Sequence, residues 1–304
     1  MKPEEYMQEI KRLKEERDAI ILAHYYTDDN LQEIADYVGD SYYLSKVARE
    51  AKEQVIVFCG VKFMGESAKI LNPHKTVLLP DDVADCPMAH MVTPQQIKQV
   101  RQEHEDLAVV CYINSTAQIK AESDVCVTSA NALNIVKALK QSKIFFVPDQ
   151  HLGTYVASKV PEKEFIFNDG YCHIHRSIQK EAVLREKALR PEAQVLVHPE
   201  CPSEIVDLAD YVGSTTGIID YAAKSQADSF IVCTEIGILY ELKKNNPNKN
   251  FYFVGEKKEC ADMKRITLSK LYEALRDMKY EVVLEEAERK AAEEALLAMH
   301  RLAD

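Results

Sequence analysis

The sequence predicts an α/β protein built from three pseudo-threefold-related α/β/α sandwich domains, each with a small four-stranded parallel sheet, around a central site. Three observations carry that expectation. One pattern occurs three times along the 304 residues, short apolar runs alternate with helix-like segments inside each copy, and each copy ends in a cysteine. The closing residues Cys86, Cys172 and Cys260 are separated by 86 and 88 residues. Ser41, Ser129 and Ser214, or Gly65, Gly153 and Gly237, keep nearly the same step. A repeat of this length decides the architecture, because each copy must fold alike.

Residues up to Arg17 read as an amphipathic helix. DAIILAHYY is a short apolar run bounded by charge and turn residues, the mark of a buried parallel strand. Asp28, Asp29 or Asn30 can cap the helix NLQEIADYV, in which Leu31, Ile34, Ala35 and Val38 fall at helical spacing. A strand edge and Gly39 lead to Asp40 and Ser41, which cap a second helix; QVIVFC is a strand, GESAKIL a helix and TVLLP a strand. Each copy is therefore expected to run β-α-β-α-β-α-β. The second copy repeats this with VVCYIN, the capping Ser115, the capping pair Thr128 and Ser129, KIFFVP and EFIFN. The third has VLVHPE, Ser203 after Pro202, Ser214 and Thr215, SFIVC and FYFV. Two helical stretches after Cys260 have no counterpart in the repeat and are expected on the first copy. The expected domains are residues 1–86 with 267–304, residues 87–172 and residues 173–266. Strands alternating with helices through short loops favour parallel sheets covered on both faces.

Composition narrows the function. A hydrophobic content of 46% supports a substantial core, and a net charge of −11 argues against a nucleic-acid backbone as partner, which needs clustered Lys and Arg. The charged opening MKPEEYMQEIKRLKEER lacks the apolar stretch of a signal peptide, and no apolar run approaches a membrane span. A cytoplasmic protein is expected. There the eight cysteines, none in a CxxC pair, are buried or bind metal rather than forming disulfides.

Ligands of open parallel sheets bind beyond the carboxyl ends of the strands. His24 and Tyr26, Tyr112 and Asn114, and His198 and Glu200 close the first strand of successive copies. Ser41, Ser129, Ser214 and Thr215 open the following helices, where free N–H groups favour an anion, although capping alone also explains them. A pseudo-threefold axis would bring Cys86, Cys172 and Cys260 together. Three thiolates suit a [4Fe–4S] cluster with one open iron, and a structural zinc competes with it. Cys59, Cys111, Cys126 and Cys233 sit in apolar runs and read as buried hydrophobes, while Cys201 beside Glu200 is an alternative ligand without equivalents.

The ordered motifs AHYY, GDSYYLS, DDVADCPMA, YINS, CVTSANA, DGYCHIH, HPEC, GSTTGI and ECADM resemble the quinolinate synthase family, over about residues 18–280. The resemblance implies an oxygen-sensitive [4Fe–4S] cluster held by Cys86, Cys172 and Cys260. It implies a dehydrating, transferase-type synthase that condenses iminosuccinate with dihydroxyacetone phosphate to quinolinate, losing phosphate and two waters, for NAD biosynthesis. An aspartate-oxidising enzyme would supply the iminosuccinate. Substrate-binding positions of the family fall on His24, Ser41, Tyr112, Ile113, Asn114, Ser129, His198, Pro199, Glu200 and Thr215. Tyr26 and Glu200 fall on acid–base positions, with His24 and His198 beside them, and Lys224 on one linked to opening and closing. The CxxH of Cys172 and His175 also fits, whereas His173 receives no role. Two rivals stand: a reductive dehydroxylase of isoprenoid diphosphates on the same three-cysteine plan, and a zinc-stabilised anion-binding protein.

Overall fold

The computed structural model describes residues 1–303. Helix α1 (Pro3–Glu16) turns Ile10 and Leu13 inward and leads into the first copy. That copy runs β1 (Ala19–His24), α2 (Asp29–Ile34), β2 (Tyr37–Gly39), α3 (Ser41–Glu50), β3 (Val55–Cys59), α4 (Lys62–Leu71) and β4 (Thr76–Leu78). The second follows as α5 (Pro94–Glu103), β5 (Leu107–Tyr112), α6 (Ala117–Ala121), β6 (Val125–Val127), α7 (Ala132–Ala138), β7 (Lys143–Val147), α8 (Gln150–Ser158) and β8 (Glu164–Phe167). After α9 (His173–Arg176), the third comprises α10 (Lys180–Leu189), β9 (Gln194–Val197), α11 (Ser203–Val206), β10 (Tyr211–Val212), α12 (Thr215–Lys224), β11 (Ser229–Cys233), α13 (Leu239–Asn245) and β12 (Asn250–Phe253). Helices α14 (Leu268–Asp277) and α15 (Glu286–Ala303) close the described chain.

Three parallel four-stranded sheets result, with orders β2-β1-β3-β4, β6-β5-β7-β8 and β10-β9-β11-β12. The order is the same in each, so the first strand always lies beside the third and their carboxyl ends open on the crevice where strand order reverses. The central strands are buried throughout in the first sheet and past their first residue in the other two, which is why they read as unbroken apolar runs rather than alternating ones.

Several local expectations change. The helix NLQEIADYV ends at Ile34, because Tyr37–Gly39 pairs with β1 and the Asp36 carboxylate takes the Ile21 N–H at 2.8 Å. Asp28 stands at the N-cap of α2 without a side-chain capping bond; its carboxylate pairs with Lys264 at 3.2 Å instead. Thr116, not Ser115, caps α6; Ser115 Oγ donates to the Tyr112 carbonyl instead. Ser129 lies in a turn ahead of Asn131, the residue that flanks α7. Helices α5 and α10 repeat the role of α1, so each copy begins with a helix as well.

One apolar core runs through the first two copies and the terminal helices. The third copy has a separate core on each face of its sheet, with Val195, Val197 and Ile231 on one side and Leu196, Phe230 and Val232, joined by Tyr25 of the first copy, on the other. Helix α14 lies on α1 and β3 of the first copy, as expected of both terminal helices. Helix α15 instead rests mainly on α6, β6 and α7 of the second copy and reaches α4 of the first. Its Ala292, Leu296 and Met299 are fully buried there. Among the described residues, no helix is long and apolar enough to cross a membrane.

Candidate active site

The carboxyl ends of the three sheets converge on one cavity. The first copy contributes His24, Tyr26, Asp40, Ser41 and Cys86; the second Tyr112, Asn114, Ser129 and Cys172; the third His198, Glu200, Thr215, Glu235 and Cys260. Phe63, Met64, Met88 and Met263 supply apolar wall. Ile113 and Pro199 are buried and do not line the cavity, and Lys224 is exposed in the last turn of α12, also outside the lining.

His24 and His198 make the same local bond. In each, Nδ1 accepts the backbone N–H of the residue two positions on, Tyr26 at 3.1 Å and Glu200 at 3.3 Å. An Nδ1 so occupied leaves Nε2 to carry the proton. Burial lowers both imidazoles to about 3, so they are neutral donors at neutral pH.

Glu200 lies between two imidazoles. Its Oε2 lies 2.9 Å from His175 Nδ1 and 3.3 Å from His198 Nδ1, and the two imidazoles stack with centroids 4.6 Å apart. Burial alone would raise the Glu200 carboxyl, but its neighbours, His175 foremost and then His198 and Tyr112, together outweigh burial and hold the group well below the usual range. Oε1 of the same side chain is buried with no hydrogen-bond partner. His175 Nε2 meets Thr234 Oγ1 at 2.9 Å, and Tyr26 Oη meets Thr234 Oγ1 at 3.1 Å and Thr215 Oγ1 at 3.0 Å. Thr234 therefore links the phenol of the first copy to the imidazole that braces Glu200. Burial pushes the Tyr26 and Tyr112 phenols well up, so both remain protonated donors.

The three cysteine loops share one backbone tie. The residue three places past the third strand of each copy donates its N–H to the carbonyl two places before the cysteine: Lys62 to Ala84 at 2.9 Å, Gln150 to Gly170 at 2.8 Å and Ile236 to Lys258 at 2.8 Å. The recurrence makes Cys86, Cys172 and Cys260 structural equivalents. Burial pushes their thiols up, Cys260 to about 11, and the thiols add to one another's shift, Cys260 on Cys86 and Cys86 on Cys172. Cys59, Cys111, Cys126 and Cys233 are buried within strands, and Cys201 is buried on the third copy's core outside the cavity lining. For a single small ion, the only tight ligand set among the described residues is Cys172, His175 and Glu200, whose ligand atoms lie within 4.8 Å of one another.

A profile of the family described as Quinolinate synthetase A protein matches residues 8–301. The chain belongs to the quinolinate synthetase A family. Similar proteins include the Quinolinate synthase of Clostridioides difficile (strain 630), 54% identical over 296 residues, covering 97% of either chain. That of Caldicellulosiruptor saccharolyticus is 51% identical over 299 residues, covering 98% of this chain and 99% of the relative. That of Clostridium perfringens (strain 13 / Type A) is 49% identical over 294 residues, covering 97% and 98%.

For a member of the quinolinate synthetase A family, the sequence left His173, Thr234, Asp149 and Glu235 without a role and assigned no chemistry to His175. His175 was visible as the second member of the CxxH. Asp149 and Glu235 each stand two residues past the third strand of their copies, a correspondence hidden because the first copy has Val61 there. Thr234 carries no local signal; its importance comes from the side chains that meet it.

Proposed function

We propose that this chain is a quinolinate synthase of NAD biosynthesis, condensing iminosuccinate with dihydroxyacetone phosphate to quinolinate with loss of phosphate and two waters. One observation carries the reading: three equivalent cysteines, one per copy, open on the same cavity as the buried His24, Tyr112, His198 and Glu200. The donor set fits a [4Fe–4S] cluster. Partly buried thiols that raise one another's pKa suit a metal centre, whose positive charge lets them deprotonate. Cys86, Cys172 and Cys260 would hold it; one iron would lack a protein ligand and supply Lewis acidity toward a leaving hydroxyl.

The side chains account for the rest. Iminosuccinate carboxylates and a phosphate are anions in a chain of net charge −11, so neutral donors and helix N-termini must receive them. Ser41 and Thr215 are the first residues of α3 and α12, and Tyr112 remains protonated beside them. Asn114 Oδ1 is buried without a partner and suits the N–H of an imine. Glu200, ionised and braced through Oε2, offers the free Oε1 as proton acceptor during enolisation and dehydration; Tyr26 and His24 donate and take up protons opposite it. A water-sensitive imine needs a site that closes. The lobes 1–86 with 267–304 and 87–172 share one core, to which 173–266 adds Met263 and Ile266 while taking Tyr25 of the first copy into one of its own layers; it is the least tied of the three and the one to move. The cytoplasm, with its reduced thiols, and an aspartate-oxidising enzyme that supplies iminosuccinate complete the proposal.

Anaerobically reconstituted protein given iminosuccinate and dihydroxyacetone phosphate, without reductant, should form quinolinate; a reductive dehydroxylase would not. Glu200→Gln should lower turnover by about 10²–10⁴-fold with the cluster intact. Near-normal turnover would remove Glu200 from the role. The close set Cys172, His175 and Glu200 favours a second reading, a single zinc with no reaction. Iron and sulfide analysis separates the two, because the zinc protein is colourless and indifferent to Cys86→Ser.

A further inference from the structure

Asp149 and Glu235 occupy the same place in two copies, two residues beyond the third strand, and both side chains are fully buried. Each does two things at once. Asp149 Oδ1 accepts the N–H groups of His151 and Leu152 at 2.8 Å each, capping α8, while Oδ2 accepts the Cys172 N–H at 3.2 Å. Glu235 Oε2 accepts the Gly237 N–H at 2.6 Å, and Oε1 accepts the Cys260 N–H at 3.0 Å. Two different side chains of different length thus reach the same pair of targets, the turn after the strand and the backbone of the closing cysteine. The first copy lacks the device: Val61 stands at the position, and the Cys86 N–H goes to the neighbouring Asp85 Oδ1 at 2.8 Å.

We infer that Asp149 and Glu235 are positioning residues that fix Cys172 and Cys260 as iron ligands by tying each cysteine N–H to the end of its own sheet. The inference rests on the cluster reading given above. Capping alone does not explain the pair, since one oxygen suffices for a cap and Ser or Thr performs it elsewhere in this chain, as Thr93, Thr116 and Ser214 do. What the carboxyl adds is a second acceptor aimed at the cysteine. Every hydrogen bond these oxygens accept comes from a backbone N–H, so an amide would turn its own N–H₂ against one of those donors and release the loop. Groups that orient metal ligands from behind typically matter about 10–100-fold for metal retention.

The test uses the full chain reconstituted with iron and sulfide without oxygen, and follows iron release to a chelator by the loss of visible absorption. Asp149→Asn keeps a cap through Oδ1, and Glu235→Gln keeps the side-chain volume. Each should release iron about 10–100-fold faster than the unsubstituted protein, with a smaller change in the thermal midpoint of the iron-free protein than Leu296→Ala produces. Release within twofold of the unsubstituted rate in both variants overturns the inference, as does faster release that merely tracks lost stability of the iron-free chain. Should Asp149→Asn fail to fold, Glu235→Gln decides alone. If the unsubstituted protein takes up no iron and sulfide, or Cys172→Ser and Cys260→Ser keep all of it, the cluster reading fails as well; normal uptake with normal release in the two variants sinks only this inference.

Discussion

His24 and His198 turn one local bond into a property of the site. Each imidazole is buried, accepts a backbone N–H two residues on, and titrates at about 3 instead of 6.5. In the unfolded chain the ordinary value returns, so between about 6.5 and 3 the unfolded state binds more protons than the folded one. The stability tied to these residues is present above about 6.5 and is lost as pH falls toward 3. Thermal midpoints of the iron-free protein should therefore fall across that window, and the slope should flatten in a His24→Asn, His198→Gln variant. An unchanged slope would mean that the two rings are not buried neutral. The same scale explains why Glu200 can remain ionised out of water: His175 faces one oxygen, which leaves the other free for substrate.

At the scale of elements, the site depends on helices that begin where strands end. Helix α3 starts behind Asp40, whose Oδ1 accepts the Tyr43 N–H at 3.0 Å, and whose Oδ2 accepts the Thr216 hydroxyl of α12 at 2.6 Å. One side chain thus caps a helix of the first copy and ties it to a helix of the third. Asp40→Ala removes both, and should cost about 1–2 kcal/mol in denaturant unfolding and raise KM more than it lowers kcat. Asp40→Asn retains an acceptor for the cap and should recover most of the stability; a loss as large as that of Ala would mean the cap is not the source. Elements are also where a local pattern yields to strand pairing. Val38 keeps a helical spacing with Leu31, Ile34 and Ala35, but the edge of β1 was available for pairing and the Asp36 carboxylate closes the turn onto it. A helical period of so few residues does not outweigh a ladder of parallel hydrogen bonds.

For the whole molecule, the distribution of apolar core decides what can move. The first two copies and the terminal helices share one core, whereas the third has separate layers on its two faces. Leu296 of α15 is fully buried where the first two copies meet that helix. Leu296→Ala should destabilise by about 2–5 kcal/mol. Native-state hydrogen exchange should then quicken in β1, β3, β5 and β7 together while β9 and β11 change little. Equal acceleration in all three sheets would mean that the third lobe is not energetically separate.

The sequence by itself determined the three copies, the strand runs, the closing cysteines and the residues at the strand ends, because these are written in local periodicity and spacing that each copy repeats. Only the tertiary structure decided that His175 and Thr234 bridge Tyr26 to Glu200, that Asp149 and Glu235 hold cysteine loops, and that α15 rests on the second copy. Those relations join residues from 23 to more than 200 positions apart. They depend on how three sheets face one another, and no local pattern encodes that distance.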